Sequence, residues 1–210
     1  MKKDTDVNCF LFDIGNVLLN FDFNDLYALH SANSGHPPLP YSEADFVLRD
    51  AVESGAISDE AWLTHLNQTR HLNWTMEDLR TAWANIFSIN PAGYALLERA
   101  RDDPKTQVYT LSNVAPHHVE ALQKRWPNFF DGLDGLFFSY DLGVRKPDPE
   151  IYRRMLDRLD IPASHCFFID DLPENVEVAK NFGINAYCFV PKNLQAIQQR
   201  AKVFFGWDSL

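Results

Sequence analysis

Five short runs, apolar almost throughout and rich in aromatic and β-branched residues, constrain this chain more than anything else in it. They are Asn8–Phe12, Gln107–Leu111, Gly135–Ser139, Cys166–Ile169 and Ala186–Val190. A strand with one face in water alternates apolar and polar residues. Runs without that alternation predict parallel strands covered on both faces. Helical spacing fills the gaps between them at Pro116–Trp126, Glu150–Leu159 and Pro173–Phe182. Alternating strand and helix predicts an α/β fold, an open parallel sheet wound with helices.

The first half reads differently. From about Phe23 to Asn90 there is no convincing strand, only helical patterns broken by punctuation. Ser34-Gly35-His36-Pro37-Pro38 with Pro40 is a loop, and Ser42 caps a helix running to Val52. Ser58 caps a second helix, with Ala61, Trp62, His65 and Leu66 at helical spacing. Thr75 opens a third, with Asp78 in a capping-box position. A four-helix insertion after the first strand accounts for the pattern. It divides the chain into a core of residues 1–20 and 91–210 and a helical cap of residues 21–90.

A formal net charge of −10 argues against nucleic acid or an acidic membrane as partner. No run approaches the roughly 20 apolar residues of a membrane helix, and MKKDTDVNCFLF reads as a first strand, not a signal peptide. The three cysteines, Cys9, Cys166 and Cys188, have no metal-binding spacing and sit in apolar segments. Buried, reduced thiols and a cytoplasmic location are expected. An acidic chain acting on an anion would need positive charge concentrated at its site.

Ligands of wound parallel sheets bind beyond the carboxyl ends of the strands, and there the polar residues form a coherent set. Asp13 follows the first strand, with Gly15 and Asn16 allowing a tight turn beside it. Ser112-Asn113 ends the second, before a helix start suited to an anion. Lys146 lies in Arg145-Lys146-Pro147-Asp148-Pro149 after the third, and Asp170-Asp171 ends the fourth. Each alone suits a turn, a cap or a surface. Adjacent carboxylates, however, repel unless a cation or a shared proton neutralises them. Together the pieces supply a nucleophile, a hydroxyl, a cation and an acidic pair.

In order and spacing these segments resemble the four motifs of the haloacid dehalogenase (HAD) superfamily. Phe12-Asp13-Ile14-Gly15-Asn16-Val17 resembles motif I and Thr110-Leu111-Ser112-Asn113 motif II. Arg145-Lys146-Pro147-Asp148-Pro149 resembles motif III, and Phe168-Ile169-Asp170-Asp171 with Asn175 and Ala179 motif IV. The resemblance implies a three-layer Rossmann-like core with an inserted helical cap of the C1 type. It also implies a phosphatase in which Asp13 attacks phosphorus to form an aspartyl-phosphate. Ser112 and Asn113 would bind the phosphoryl group, and Lys146 would neutralise it and keep Asp13 ionised. Mg²⁺ would be held by Asp13, the Gly15 carbonyl and Asp171, helped by Asp170, and the substrate would be a small phosphate ester.

One departure bears on the chemistry. Most phosphatases of the superfamily carry a second Asp, the acid for the leaving group, where this chain has Gly15. A general acid contributes roughly 10²–10⁴ in rate. The Asp13-Ile14-Gly15-Asn16-Val17 start and Glu53-Ser54-Gly55-Ala56-Ile57-Ser58-Asp59-Glu60-Ala61-Trp62 are similar to the branch of bacterial α-D-glucose-1-phosphate phosphatases, which predicts preference for good leaving groups. Asp22, His30 and Glu53 are replacement-acid candidates, though Asp22 with Asn24 fits a helix start and His30 a half-buried helix face. His117 and His118 read as solvent-facing, and Trp62, Trp74 and Trp83 as cap core. Two other function classes stay open: a dehalogenase-type hydrolase, and a HAD-scaffold binding or regulatory protein impaired through Gly15.

Overall fold

A computed structural model describes residues 7–37 and 39–208; Pro38 of the expected loop, the first six residues of the N-terminal segment and the last two of the chain lie outside the described residues. In chain order the elements are β1 (Asn8–Phe12), β2 (Leu19–Phe21), α1 (Phe23–Ser34), α2 (Glu43–Glu53), α3 (Asp59–Arg70), α4 (Met76–Ile86) and β3 (Phe87–Ile89). Then come α5 (Pro91–Arg101), β4 (Thr106–Ser112), α6 (Pro116–Arg125), β5 (Gly135–Phe138), α7 (Ser139–Leu142) and α8 (Pro149–Leu159). β6 (Cys166–Asp170), α9 (Pro173–Asn181), β7 (Asn185–Cys188) and α10 (Leu194–Phe205) complete the chain.

The five apolar runs form one parallel sheet in the order β5-β4-β1-β6-β7. β1 lies in the middle and winding reverses about it, so β4 and β6 flank it with their carboxyl ends on one edge. Successive residues of β1 face opposite layers. Phe10 and Phe12 pack with Leu96, Leu97, Ala121 and Ile197 from α5, α6 and α10. Cys9 and Leu11 pack with Ile151, Tyr152, Met155, Val176 and Ala179 from α8 and α9. This two-sided burial is why the runs do not alternate; each fully buried aromatic or aliphatic side chain contributes roughly 1.5–3 kcal/mol. Cys9, Cys166 and Cys188 are free thiols on β1, β6 and β7.

The insertion contains four helices, α1 to α4, as expected, but a pair of strands was not foreseen. β2 and β3 pair antiparallel, Phe21 opposite Phe87, and form the stem that joins the helices to the core. Asp22 accepts from the Asn24 amide at the start of α1, and capping boxes open α2 (Ser42/Asp45) and α4 (Thr75/Asp78). Trp62 and Trp74 are buried in the insertion.

Asp45 fixes the insertion internally. Its carboxylate accepts from the Ser42 amide and hydroxyl and from buried Arg70, and contacts His65 Nε2 at 2.7 Å. Burial alone would raise its pKa, but the Ser42 bonds, His65 and Arg70 together hold it below the ordinary value of 3.8. A depressed carboxylate stabilises the fold above about pH 4, and that contribution is lost as pH falls through the folded-state pKa. Asp45→Ala would strand the Arg70 guanidinium, and a loss of about 3–5 kcal/mol is expected at neutral pH. In urea titrations the loss should shrink as pH drops below 4; a deficit that persists undiminished there would refute this account.

The insertion is tied to the core along one side. Helix α4 lies on α6, with Arg80 paired to Glu120 and Lys124 to Glu77. Arg145 reaches Glu53 and Asp50 at 2.7 Å each, and the Ser139 hydroxyl donates to the Glu53 carbonyl. His117 and His118 correct an expectation: they are 0% and 8% exposed, not solvent-facing. His117 Nδ1 lies 2.7 Å from Asp59 at the start of α3. His118 packs against Trp83 and accepts from the Ala115 amide at the start of α6. Burial, then His117, pushes the His118 pKa well below 6.5, so it stays neutral and keeps its acceptor. No helix among the described residues is long and apolar enough to cross a membrane.

Candidate active site

The carboxyl edge of the sheet brings the predicted polar residues into one cluster. Asp13 leaves β1 with its amide still bonded to the Ile169 carbonyl of β6 at 3.0 Å. Beyond it the chain turns sharply. The Ile14 carbonyl accepts from Leu18 and Leu19, and Asn16 takes a left-handed conformation with φ 53°. That turn aims the Asn16 amide at Asp171, 2.9 Å away.

Asp13 Oδ1 accepts from the Ser112 hydroxyl at 2.7 Å and from Lys146 Nζ at 2.9 Å. Lys146 is 3% exposed, and its ammonium also donates to the Leu111 carbonyl at 2.9 Å and to Asp170 Oδ2 at 2.6 Å. Burial works against the charge of Lys146, but Asp13 and Asp170 outweigh it and hold its pKa above 10.5. Burial also raises Asp13, from 3.8 to about 7, opposed by Lys146 and Ser112 and aided by Asp170.

Carboxylate oxygens of Asp13, Asp170 and Asp171 lie within 4.8 Å of one another, a grouping suited to a hard cation. The three are not equivalent. Asp170 is 0% exposed, and its oxygens already accept from Lys146, the Leu172 amide and Asn175 Nδ2. Asp171 accepts from Asn16 and is half-buried, and burial raises its pKa despite that bond. The donors fit a magnesium-like ion best through Asp13 and Asp171.

Asn113 also stands where the sequence did not suggest. Its amide donates to the Lys146 carbonyl at 2.9 Å and accepts from the Lys146 amide at 2.8 Å, clamping the loop that carries the ammonium. The roles of Asn16 and Asn90 were not foreseen either. Asn90 Nδ2 donates to the Asn16 carbonyl, and the Asn90 amide to Leu18, so the start of α5 braces the turn after Asp13. The only advance signal was an Asn before a Pro, which marks a helix start.

The replacement-acid candidates each have other contacts. Asp22 caps α1; Glu53 is held by Arg145; His30 packs on Trp74 at 4.8 Å, its pKa lowered to about 4 by burial and by Arg70.

Comparison with known proteins agrees with this architecture. Residues 7–183 match the description haloacid dehalogenase-like hydrolase. D-ribitol-5-phosphate phosphatase of Bacteroides thetaiotaomicron is 28% identical over 150 residues, covering 68% of this chain and 70% of that protein. A HAD family enzyme from the same organism, in complex with magnesium and inorganic phosphate, superposes with a TM-score of 0.73 at 24% identity, covering 87% of this chain and 93% of the other. A predicted HAD-like hydrolase from Porphyromonas gingivalis superposes at 0.76 with 22% identity, covering 94% and 98%. At these identities the two structures speak for the fold. The chain belongs to the haloacid dehalogenase-like hydrolases, as a phosphatase-type enzyme of that family.

Proposed function

We propose that the chain hydrolyses phosphate monoesters of small metabolites, such as sugar phosphates, through an aspartyl-phosphate on Asp13. The observation that carries this is the environment of Asp13. It is a buried carboxylate at the tip of the central strand, with an ammonium and a hydroxyl on one oxygen and a second carboxylate, Asp171, within reach of a shared cation. Both donors go to Oδ1, which leaves Oδ2 for in-line attack on phosphorus. The P–O bond to the ester oxygen breaks as the bond to Asp13 forms. Water then attacks the acyl phosphate, releasing inorganic phosphate and restoring the carboxylate. Ser112 and Lys146 are placed to turn from Asp13 to the phosphoryl oxygens as charge gathers there.

Asp13, Asp171 and the Gly15 carbonyl would hold Mg²⁺, with Asp170 aligning Lys146 instead of binding the ion directly. Bound there, the ion would offset the repulsion between carboxylate and phosphate dianion. Asn113 acts as a positioning residue for the Lys146 loop. Residues 21–90 form the cap and residues 1–20 with 91–210 the core. Acidic composition and free thiols support a cytoplasmic enzyme for a small phosphate ester, with neither nucleic acid nor membrane as partner.

Ionic linkage provides one test. A carboxyl raised to about 7 is destabilising when ionised, so the metal-free fold should lose stability as pH rises from about 4 through 7. A cation that needs the carboxylate reverses this. Mg²⁺ should therefore raise the melting temperature more at pH 8 than at pH 6. Equal shifts, or none, would exclude this ligand set.

The direct test is phosphate release from p-nitrophenyl phosphate with and without Mg²⁺. Metal-dependent release is expected. Silence across a broad ester panel would favour a binding protein on this scaffold, and metal-free halide release a dehalogenase. The missing acid at Gly15 further predicts that rates fall as the leaving-group pKa rises, favouring an anomeric phosphate over a primary alkyl one. The relative named for D-ribitol-5-phosphate makes that contrast worth measuring.

A further inference from the structure

Gly15 is not required by backbone geometry. Its φ lies outside the left-handed region, unlike that of Asn16 beside it. What excludes a side chain is Phe21. A Cβ built on Gly15 would stand 2.7 Å from Phe21 Cζ, with Cε2 at 3.5 Å and Cε1 at 3.8 Å. Moving the ring would disturb its own packing. Phe21 is the last residue of β2, its backbone is paired with Phe87, and its ring packs against Phe23 and Phe87 at centroid distances of 5.8 Å each.

We propose that Phe21 is a specificity-determining residue, its ring filling the volume of a position-15 side chain and setting an apolar wall two residues from the nucleophile. This deepens the phosphatase reading and rests on it. With the ring against the Cβ position of residue 15, glycine is kept there, and the electron pair of the breaking P–O bond passes to a leaving oxygen that receives no proton from position 15. That oxygen departs as an anion or is protonated by solvent. Substrates are thereby restricted to esters of acidic hydroxyls, such as anomeric, enolic or phenolic ones. Gly15 and Phe21 form a coupled pair, and neither can be changed profitably without the other.

A cycle of Gly15→Asp, Phe21→Ala and the double variant tests this with two readouts. The first is thermal unfolding. Gly15→Asp should lower the melting temperature by about 3–10 °C through overpacking. Phe21→Ala loses buried ring surface, and the double variant should lie well above the sum of the two losses. The second readout is the dependence of rate on leaving-group pKa across phenyl and alkyl phosphates with Mg²⁺. The native protein, Gly15→Asp and Phe21→Ala should all show a steep fall. The double variant should flatten it and gain at least ~10-fold on alkyl esters, the low end of what a positioned acid supplies. Additive melting shifts, or flattening by Gly15→Asp alone, would overturn the coupling. A stable, active double variant as steep as the native protein would overturn the role in specificity. If the native protein released no phosphate from any ester, the phosphatase reading would fall while the melting cycle still decided the packing claim.

Discussion

Asp13→Asn should abolish metal-dependent phosphate release, with a loss of about 10⁴-fold or more, while leaving the fold intact. Asparagine keeps the shape of aspartate, and its carbonyl oxygen can still accept from Ser112 and Lys146 at the position of Oδ1. It cannot supply the anionic oxygen that attacks phosphorus. A factor of 10⁴ corresponds to about 5.5 kcal/mol of barrier, reasonable for removing a covalent nucleophile outright. Stability separates this from unfolding. Asp13 is destabilising when ionised, because burial has raised it to about 7. The variant should therefore melt no lower than the native protein at pH 8 without metal. Substantial turnover in pure Asp13→Asn would remove Asp13 from the reaction and the proposed intermediate with it.

Of Cβ additions at the glycines, Gly93→Ala should be the most damaging. Gly93 lies in the first turn of α5, where a Cβ would meet the Val17 carbonyl oxygen at 1.8 Å and its carbon at 2.7 Å. Unlike a ring tip, this obstacle is backbone, and it belongs to the turn that carries Asp13 and Asn16. Asn90 holds that turn from the same helix start, so neither side can yield without breaking a hydrogen bond. A cost of about 3 kcal/mol, the upper end for overpacking, is expected as a lower denaturant midpoint. Residual folded protein should also bind Mg²⁺ more weakly, since Asn16 would lose its aim at Asp171. A native midpoint in Gly93→Ala would show that α5 is not seated as described.

Much of the architecture was legible in the chain because it depends on local pattern. Unbroken apolar runs such as Phe10-Leu11-Phe12 have one physical explanation, burial on two faces, and β1 lies at the centre of the sheet. Ser42 and Thr75 announced helix starts because capping acts over three residues. Asp13, Ser112, Lys146 and Asp170 were readable because strand ends converge in a parallel sheet whatever the loops do. What escaped depends on distant partners. β2 and β3 have three residues each, too few for a period, and form only because they meet each other. His117 looked like a surface residue because its partner Asp59 lies 58 positions away. The side chain of Asn113 could not be seen to clamp the Lys146 backbone, because that loop lies 33 positions away. The reason for Gly15 is a ring six residues on.

Arg145 and Lys146 are consecutive, yet one grips Asp50 and Glu53 of α2 and the other Asp13. The seating of α2 on the core and the placing of the ammonium beside Asp13 thus share one stretch of backbone. Replacing Arg145 would release α2 on one side of that stretch, while Asn113, Leu111 and Asp170 still hold Lys146 on the other.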